Sequence, residues 1–473
     1  MIEPKNLAVL IVVILGASCA TVPTQKDEAF SFAVEAVQVK SYTQGARAAW
    51  TFIEKTDPDD PRYDRGLRLL ARSLEGLDLT WAATMTYREI AQARRNMELV
   101  PDALAGLRRI MNTGVFDEDT IITSFIAGEE FGDLSIETQA FVDYYQGLDL
   151  AKRGEDEWAD KRFDRIPQSS PYAYEAMYVK AVRLIAEGEY GDAIEELEDL
   201  KEKRNVPVSL QRKIERTFAR LAFEERRYDD ALSHFETLRE LAPDDPEILL
   251  EMAWTHFFLG DSRKTLGLLI ALDAPIHQTY ITPERYLLEA LALRRICQFG
   301  AARQAAVSLE GRYAESYREL AKGTLPEDIR EIRLAARQRG FSKGNADLLD
   351  RIKYEKAVIE DKARKFGPQL VGYLGDLYTR GLEEARRKER ELTRAEIVEL
   401  SEELLAAREG VRLIVHELGV ALLRGRRRPA GAPEKPAVEI PLTGERVFYP
   451  FRGEYWTDEL DDLFLIAEDR CID

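Results

Sequence analysis

Residues 154–166 (GEDEWADKRFDRI), 188–200 (GEYGDAIEELEDL), 226–238 (RRYDDALSHFETL) and 260–272 (GDSRKTLGLLIAL) align without a gap. Each block opens on a turn and carries a small residue at its sixth position: Ala159, Ala193, Ala231 and Thr265. These lie 34, 38 and 34 residues apart, which is the period of a repeated helical hairpin. Taken singly the letters carry little weight. Four repeats in near-constant phase, from Tyr144 to Pro275, predict an array in which each hairpin buries its apolar stripe against the next.

Composition agrees with an all-α solenoid. Charged residues make up 32% of the chain and AVILMFWYC 45%, and few runs alternate as strands do, which suits helices that each bury one stripe. The 473 residues carry a formal charge of -18, so the average field repels a nucleic-acid backbone and no nucleic-acid partner is expected.

Within the array the pattern resembles tetratricopeptide repeats. Gly147, Gly154, Ala159, Phe163 and Pro171 occupy the small, turn, small, aromatic and terminating positions, and Ala181, Gly188, Tyr190, Ala193, Leu197 and Leu200 follow in the next repeat. Ala219, Tyr228, Ala231, Phe235, Leu238 and Pro243 form the third, and Ala253, Gly260, Leu269 and Leu272 the fourth, which departs in having Ser262 and Thr265 where Tyr and Ala are usual. Small residues let the two helices approach, the aromatic fills the gap to the next hairpin, and proline stops the second helix. In the family that these repeats resemble, the second, fifth and ninth positions of the first helix line a groove. Counted from Arg212 in the third repeat they are Lys213, Arg216 and Arg220, flanked by Tyr178 and Val182 before and Leu250 and Trp254 after. The resemblance implies a cradle for a partner peptide carrying a carboxylate, which a guanidinium holds bidentately. Pairing of the same arginines with Glu215, Glu224 and other acids on a solvated helix is the competing reading, and the sequence leaves both open.

Outside the array the chain divides further. Residues 1–18 carry Lys5, an apolar run from Leu7 to Leu15, and Gly16-Ala17-Ser18 directly ahead of Cys19. The run is too short to span a bilayer, and the segment resembles a bacterial lipoprotein signal peptide. That resemblance implies cleavage before Cys19, diacylglycerol on its thiol and, with Ala20 next, an outer-membrane lipid anchor facing the periplasm. Gly16 stands where leucine is usual, and Glu3 offsets the basic start. Residues 19–28 read as a tether, 29–143 as degenerate helical repeats, 144–275 as the clear repeats and 276–343 as degenerate repeats again. Over 344–425 two heptad-like seams are expected to form a long helical hairpin. One runs through Ile359, Ala363, Phe366, Leu370, Tyr373 and Leu377, and the other from Ile397 through Leu400, Leu404, Ala407, Val411, Ile414 and Leu418 to Ala421. Thr393 and Glu396 have capping-box spacing, predicting a reversal near Leu392, although two further solenoid helices would carry the same pattern. Residues 426–443 are a proline-rich linker. The tail, 444–473, gathers Phe448, Tyr449, Phe451, Tyr455, Trp456 and Phe464 in an acidic stretch, with a short helix from Thr457 that caps the solenoid or docks on a partner.

Chemistry is sparse. None of His234, His256, His277 and His416 belongs to a metal or triad spacing, and no phosphate loop, nucleophile elbow or Cys-x-x-Cys is present. No enzyme and no cofactor are expected. Cys297 and Cys471 are read as free, buried thiols. The expected function is a lipid-anchored periplasmic scaffold that holds protein partners in an envelope assembly. Signal, repeats and aromatic tail together resemble repeat lipoproteins of gliding-motility machinery. The alternative is an adaptor for an envelope-biogenesis complex that processes or exports glycan or lipid.

Overall fold

In the computed structural model the described residues are 22–113, 124–243, 245–277, 280, 282–425 and 469–471. Cys19 with the signal segment, the linker and the aromatic cluster of the tail lie outside them. The chain is all-helical in its described residues and divides into two compact units. One comprises residues 1–114 with 351–381, the other 115–350 with 382–473.

In the first unit, α1 (Lys26–Gln38) pairs with α2 (Tyr42–Glu54) and α3 (Tyr63–Gly76) with α4 (Thr80–Ala93), followed by α5 (Val100–Met111). Helix α1 starts inside the stretch expected as a tether. In the second unit, α6 (Ser124–Ile126) precedes five hairpins. They are α7 (Ile136–Lys152) with α8 (Asp156–Phe163), α9 (Pro171–Glu187) with α10 (Tyr190–Lys201), α11 (Val208–Glu224) with α12 (Tyr228–Leu241), α13 (Pro246–Leu259) with α14 (Ser262–Ala271), and α15 (Glu284–Arg295) with α16 (Phe299–Arg312). Then come α17 (Ala314–Ala321), α18 (Arg330–Ala336), α19 (Gly340–Asp361), α20 (Ala363–Phe366) and α21 (Pro368–Gly425). The first and second helices of a hairpin are called A and B below.

The repeat register has a backbone origin. After each A helix from α7 to α15 one residue takes positive φ: Gly154, Gly188, Arg226, Gly260 and Cys297. Such a residue ends a helix by turning its chain out of the right-handed region. Five residues on stand Ala159, Ala193, Ala231, Thr265 and Ala302, all 0% exposed where B meets A. A Cβ on Gly147 would collide with the Phe163 ring, so the small residue is what lets those helices touch. The same device recurs in the first unit at Lys40 and Asp78, followed by Gly45 and Ala83. Hairpins with this turn therefore occur in both units, beyond the four repeats with the clear signature. Starts are fixed by side chains: Ser170 accepts from Tyr172 N–H beside Pro171, and Asp245 from Glu247 N–H beside Pro246. Between hairpins the apolar faces merge, for example Ala231, Phe235, Leu238, Ile248, Leu249 and Leu269.

The C-terminal helices differ from the expected hairpin. Helix α21 runs unbroken for 58 residues through Leu392, and Thr393, expected to cap a new helix, is buried within it. A capping pair is a local preference, and burial of the Thr393 face together with Ile397 and Leu400 outweighs it. The reversal lies earlier. Gly367 takes φ +81 ahead of Pro368 at the start of α21, so the proline marks a break. Within the second unit Asn345 donates to the Ala385 carbonyl, and within the first Tyr378 donates to Glu355 at 3.1 Å. Each seam packs within its own unit. In the first unit Tyr373 stacks on Trp50 at 4.0 Å. In the second, Ile397, Leu400, Leu404 and Val411 enter a core with Leu309, Tyr313, Tyr317 and Ile332.

Helix α4 has no cap of its own and borrows one. Glu355 of α19, 0% exposed, accepts from Trp81 N–H at 2.9 Å, Ala82 N–H at 3.3 Å and the Thr80 hydroxyl, with Arg351 Nε 3.0 Å away. Its carboxylate sits on the N-terminal donors of α4.

The cysteine expectation is corrected. Cys297 and Cys471 form a disulfide with Cα atoms 5.0 Å apart, and Arg470 N–H donates to the Ile296 carbonyl. Residues 469–471 are thereby tied to the α15–α16 turn.

Candidate functional site

Helical spacing puts Lys213, Arg216 and Arg220 on one side of α11, and neighbouring A helices meet them from both flanks. Lys213 Nζ lies 3.3 Å from Glu175 of α9 and 5.7 Å over the Tyr178 ring. Arg216 bridges Asp245 and Glu247, each at 2.5 Å, and Arg220 Nε meets Glu251 at 2.6 Å. Burial alone would weaken the Arg216 proton's hold, but Asp245, Glu251 and Glu247 more than offset it and raise its pKa. Glu251 moves the other way: burial raises its pKa against the pull of Arg220 and Arg216.

The basic centre expected from sequence is thus a charge ladder. Three cations face four carboxylates, Glu175, Asp245, Glu247 and Glu251. Acid pairing was the competing reading, but the acids come from α9 and α13 with the turn before it, rather than from Glu215 or Glu224. Glu215 points elsewhere because one residue of helix is about 100° of rotation. It is buried and holds Lys201 and His234. A ligand carboxylate reaching Arg216 has to displace one already bound.

The apolar flanks are unequal. Leu250 is 7% exposed and belongs to the core, which removes it from direct contact with a partner. Tyr178 is half-buried with its hydroxyl 3.1 Å from Thr217, Val182 is 42% exposed, and Trp254 is half-buried. Trp254 continues into a ring stack beyond the residues expected to line the groove. It stacks on Phe258, which is 45% exposed and stacks in turn on Tyr228 at 5.2 Å with ring planes 10° apart. Phe258 follows Trp254 by four residues, so one-face spacing was available to find it.

Downstream the same face is covered. Cys297 follows Gly260 by 37 residues, and that step carries Leu250 and Trp254 onto Leu287 and Leu291 of α15. Helix α21 lies here: a Cβ on Gly410 would stand 3.0 Å from Leu287 Cδ1, and Arg294 pairs with Glu417 at 2.7 Å. Tyr317 donates to the Leu404 carbonyl at 2.9 Å under the Arg408 guanidinium, and Arg339 grips Glu403 through two nitrogens. The A-helix face of α15 thus carries a polypeptide of this same chain, whereas that of α9, α11 and α13 presents Tyr178, Val182 and Trp254 beside the ladder.

Among the described residues no three His, Cys, Asp or Glu side chains converge as metal ligands would, and no helix is long and apolar enough to cross a membrane. No family model and no curated protein matches the chain. Similar solved structures include a tetratricopeptide repeat protein from Parabacteroides merdae, 13% identical, covering 60% of this chain and 91% of that one with a TM-score of 0.25. Another is the human IFIT1 dimer with PPP-AAAA, 14% identical, covering 72% and 73%, with a TM-score of 0.26. The assignment of the fold rests on the helix pairs and their turns.

Proposed function

We propose that this chain is a non-catalytic scaffold that binds protein partners on the A-helix face of α9, α11 and α13. It is held by lipid on Cys19 at the periplasmic face of the outer membrane, within an envelope assembly of the gliding-motility type. One observation carries the binding face: α21 lays a polypeptide across the equivalent residues of α15, including Leu287. The adjoining face has the same helical layout, half-buried aromatics at Tyr178 and Trp254, and charges of both signs that can exchange partners with an incoming chain. The Cys297–Cys471 disulfide fits an oxidising compartment, which supports export of the chain.

The test is co-purification of the lipidated chain from native membranes, comparing the parent with Tyr178→Ala combined with Trp254→Ala. The scaffold reading expects a defined set of proteins with the parent and their loss from the variant, with unchanged far-UV dichroism. An unchanged set of proteins refutes the proposed face. Cys19→Ala should abolish incorporation of a labelled fatty acid, and continued labelling refutes the anchor. Loss of motility with an intact permeability barrier on deletion supports the motility assembly, and leakage with motility retained supports the envelope-biogenesis adaptor.

A further inference from the structure

Away from the charge ladder, a cavity of about 230 Å³ opens between B helices α10 and α12 over α11. Its apolar wall is Ile194, Phe218, Leu221 and Ala222, and its polar groups are Glu198, Lys201, Arg227 and His234. On α11 the apolar residues fall opposite Lys213, Arg216 and Arg220 at 100° per residue, so the cavity and the ladder use different faces of one helix. Drug-sized ligands occupy roughly 300–1,000 Å³. This space is smaller and suits a single side chain.

The polar side is already organised. The Glu215 carboxylate, with its side chain 6% exposed, lies 2.8 Å from Lys201 Nζ and 2.7 Å from His234 Nδ1. The imidazole stacks on Phe218 with centroids 5.0 Å apart and planes 21° apart, and Lys201 sits over the same ring. Arg227 is held at the rim by Glu225 and Asp230. The cationic groups are therefore satisfied, so an anionic ligand gains little here. What is left over is one nitrogen. Nδ1–H donating to Glu215 fixes the neutral ring's tautomer and makes Nε2 an acceptor, and Nε2 has no protein partner among the described residues. An acceptor beside a phenyl ring and aliphatic walls calls for an aromatic group that carries a donor.

We propose that this cavity is an anchor site for one aromatic side chain of a partner polypeptide, a tyrosine or a tryptophan whose O–H or N–H donates to His234 Nε2. The site adds a second contact on the B-helix side to the A-helix face. It rests on the scaffold reading for the source of the side chain, and on its own geometry for the chemistry.

The experiment titrates N-acetyl-tyrosinamide into the full chain carrying Cys19→Ser and follows the Cε1–H proton signals of the four histidines, with His234→Gln assigning one. The expected result is a saturable shift of the His234 signal, with His256, His277 and His416 unmoved. N-acetyl-phenylalaninamide, which lacks the donor, should bind about tenfold more weakly, the loss of one hydrogen bond. Ile194→Trp fills the cavity from its rim and should abolish the shift, while Ile194→Ala, the milder change, should keep it. An unmoved His234 signal overturns the proposal, as does equal affinity for the two probes or a shift that survives Ile194→Trp in a chain whose other histidine signals are unchanged. If no probe binds while partners still co-purify, the cavity fails and the scaffold stands. If probes bind but no protein co-purifies, the polypeptide source is overturned.

Discussion

Replacing Leu404 by alanine tests whether α21 is packed onto the array. Leu404 is 0% exposed, and its neighbours in the core include Leu309, Tyr317, Ile332 and Leu400. The substitution removes three carbon groups at about 0.8 kcal/mol each, or about 2.4 kcal/mol of transfer free energy. The cavity left in a core that relaxes only partly adds about 1 kcal/mol. The expected destabilisation is therefore about 3.5 kcal/mol. Leu405, the next residue, is 49% exposed, so Leu405→Ala should change stability by less than about 0.5 kcal/mol. Both variants are unfolded in urea and followed by far-UV dichroism, comparing midpoints at a shared slope for the transition of the second unit. A contrast of about 3 kcal/mol between adjacent leucines requires one face of α21 to be buried. If Leu404→Ala costs no more than Leu405→Ala, the helix is not seated on α15 to α18 and the covered face described above does not exist.

Arg226→Gly should stabilise the chain by about 1 kcal/mol in thermal unfolding, because Arg226 holds φ +62 at a turn where its counterparts Gly188 and Gly260 are glycine. Leu392→Pro should cost about 3 kcal/mol or more, since it falls inside the continuous α21; near-parental stability would instead mean that the chain reverses there. Glu215 gives a pH signature. Burial pushes its pKa up, but hydrogen bonds from His234 and Lys201 outweigh burial and leave it below the ordinary 4.5. A lowered carboxylate pKa stabilises the fold above the unfolded value, and that contribution is lost as pH falls through the folded value. Glu215→Gln should therefore flatten the acid limb of stability below pH 4.5, and an acid limb equal to the parent's would refute the assignment.

The hairpin period was legible because its cause is local. A turn that needs positive φ and a small residue five positions later leave the same trace in each repeat, and Ala159, Ala193, Ala231 and Thr265 all lie where B helices meet A helices. Where the turn residue is Cys297 or Lys40 the letters hide a geometry that the backbone keeps. The disulfide was illegible since its cysteines are 174 residues apart and pairing cannot be read from spacing. Thr393 and Glu396 misled for a related reason: a capping box reports local preference, and burial of α21 against distant helices decided the outcome. At the candidate site, spacing placed the three cations on one side of α11. It could not supply Glu175, Asp245, Glu247 and Glu251, whose proximity depends on how hairpins stack. Leu250 fell to the core because α13 buries most of its circumference, including Ile248, Leu249, Met252 and Ala253.

Partner polypeptide is proposed to bind the A-helix face of α9, α11 and α13. A photo-crosslinking residue placed in turn at Tyr178, Trp254 and Leu291 of the full chain, irradiated in native membranes, measures this directly. Adducts with the same partner are expected from positions 178 and 254, and none from 291, where α21 already lies over α15. Adducts from 291 alone, or from none of the three, would contradict it.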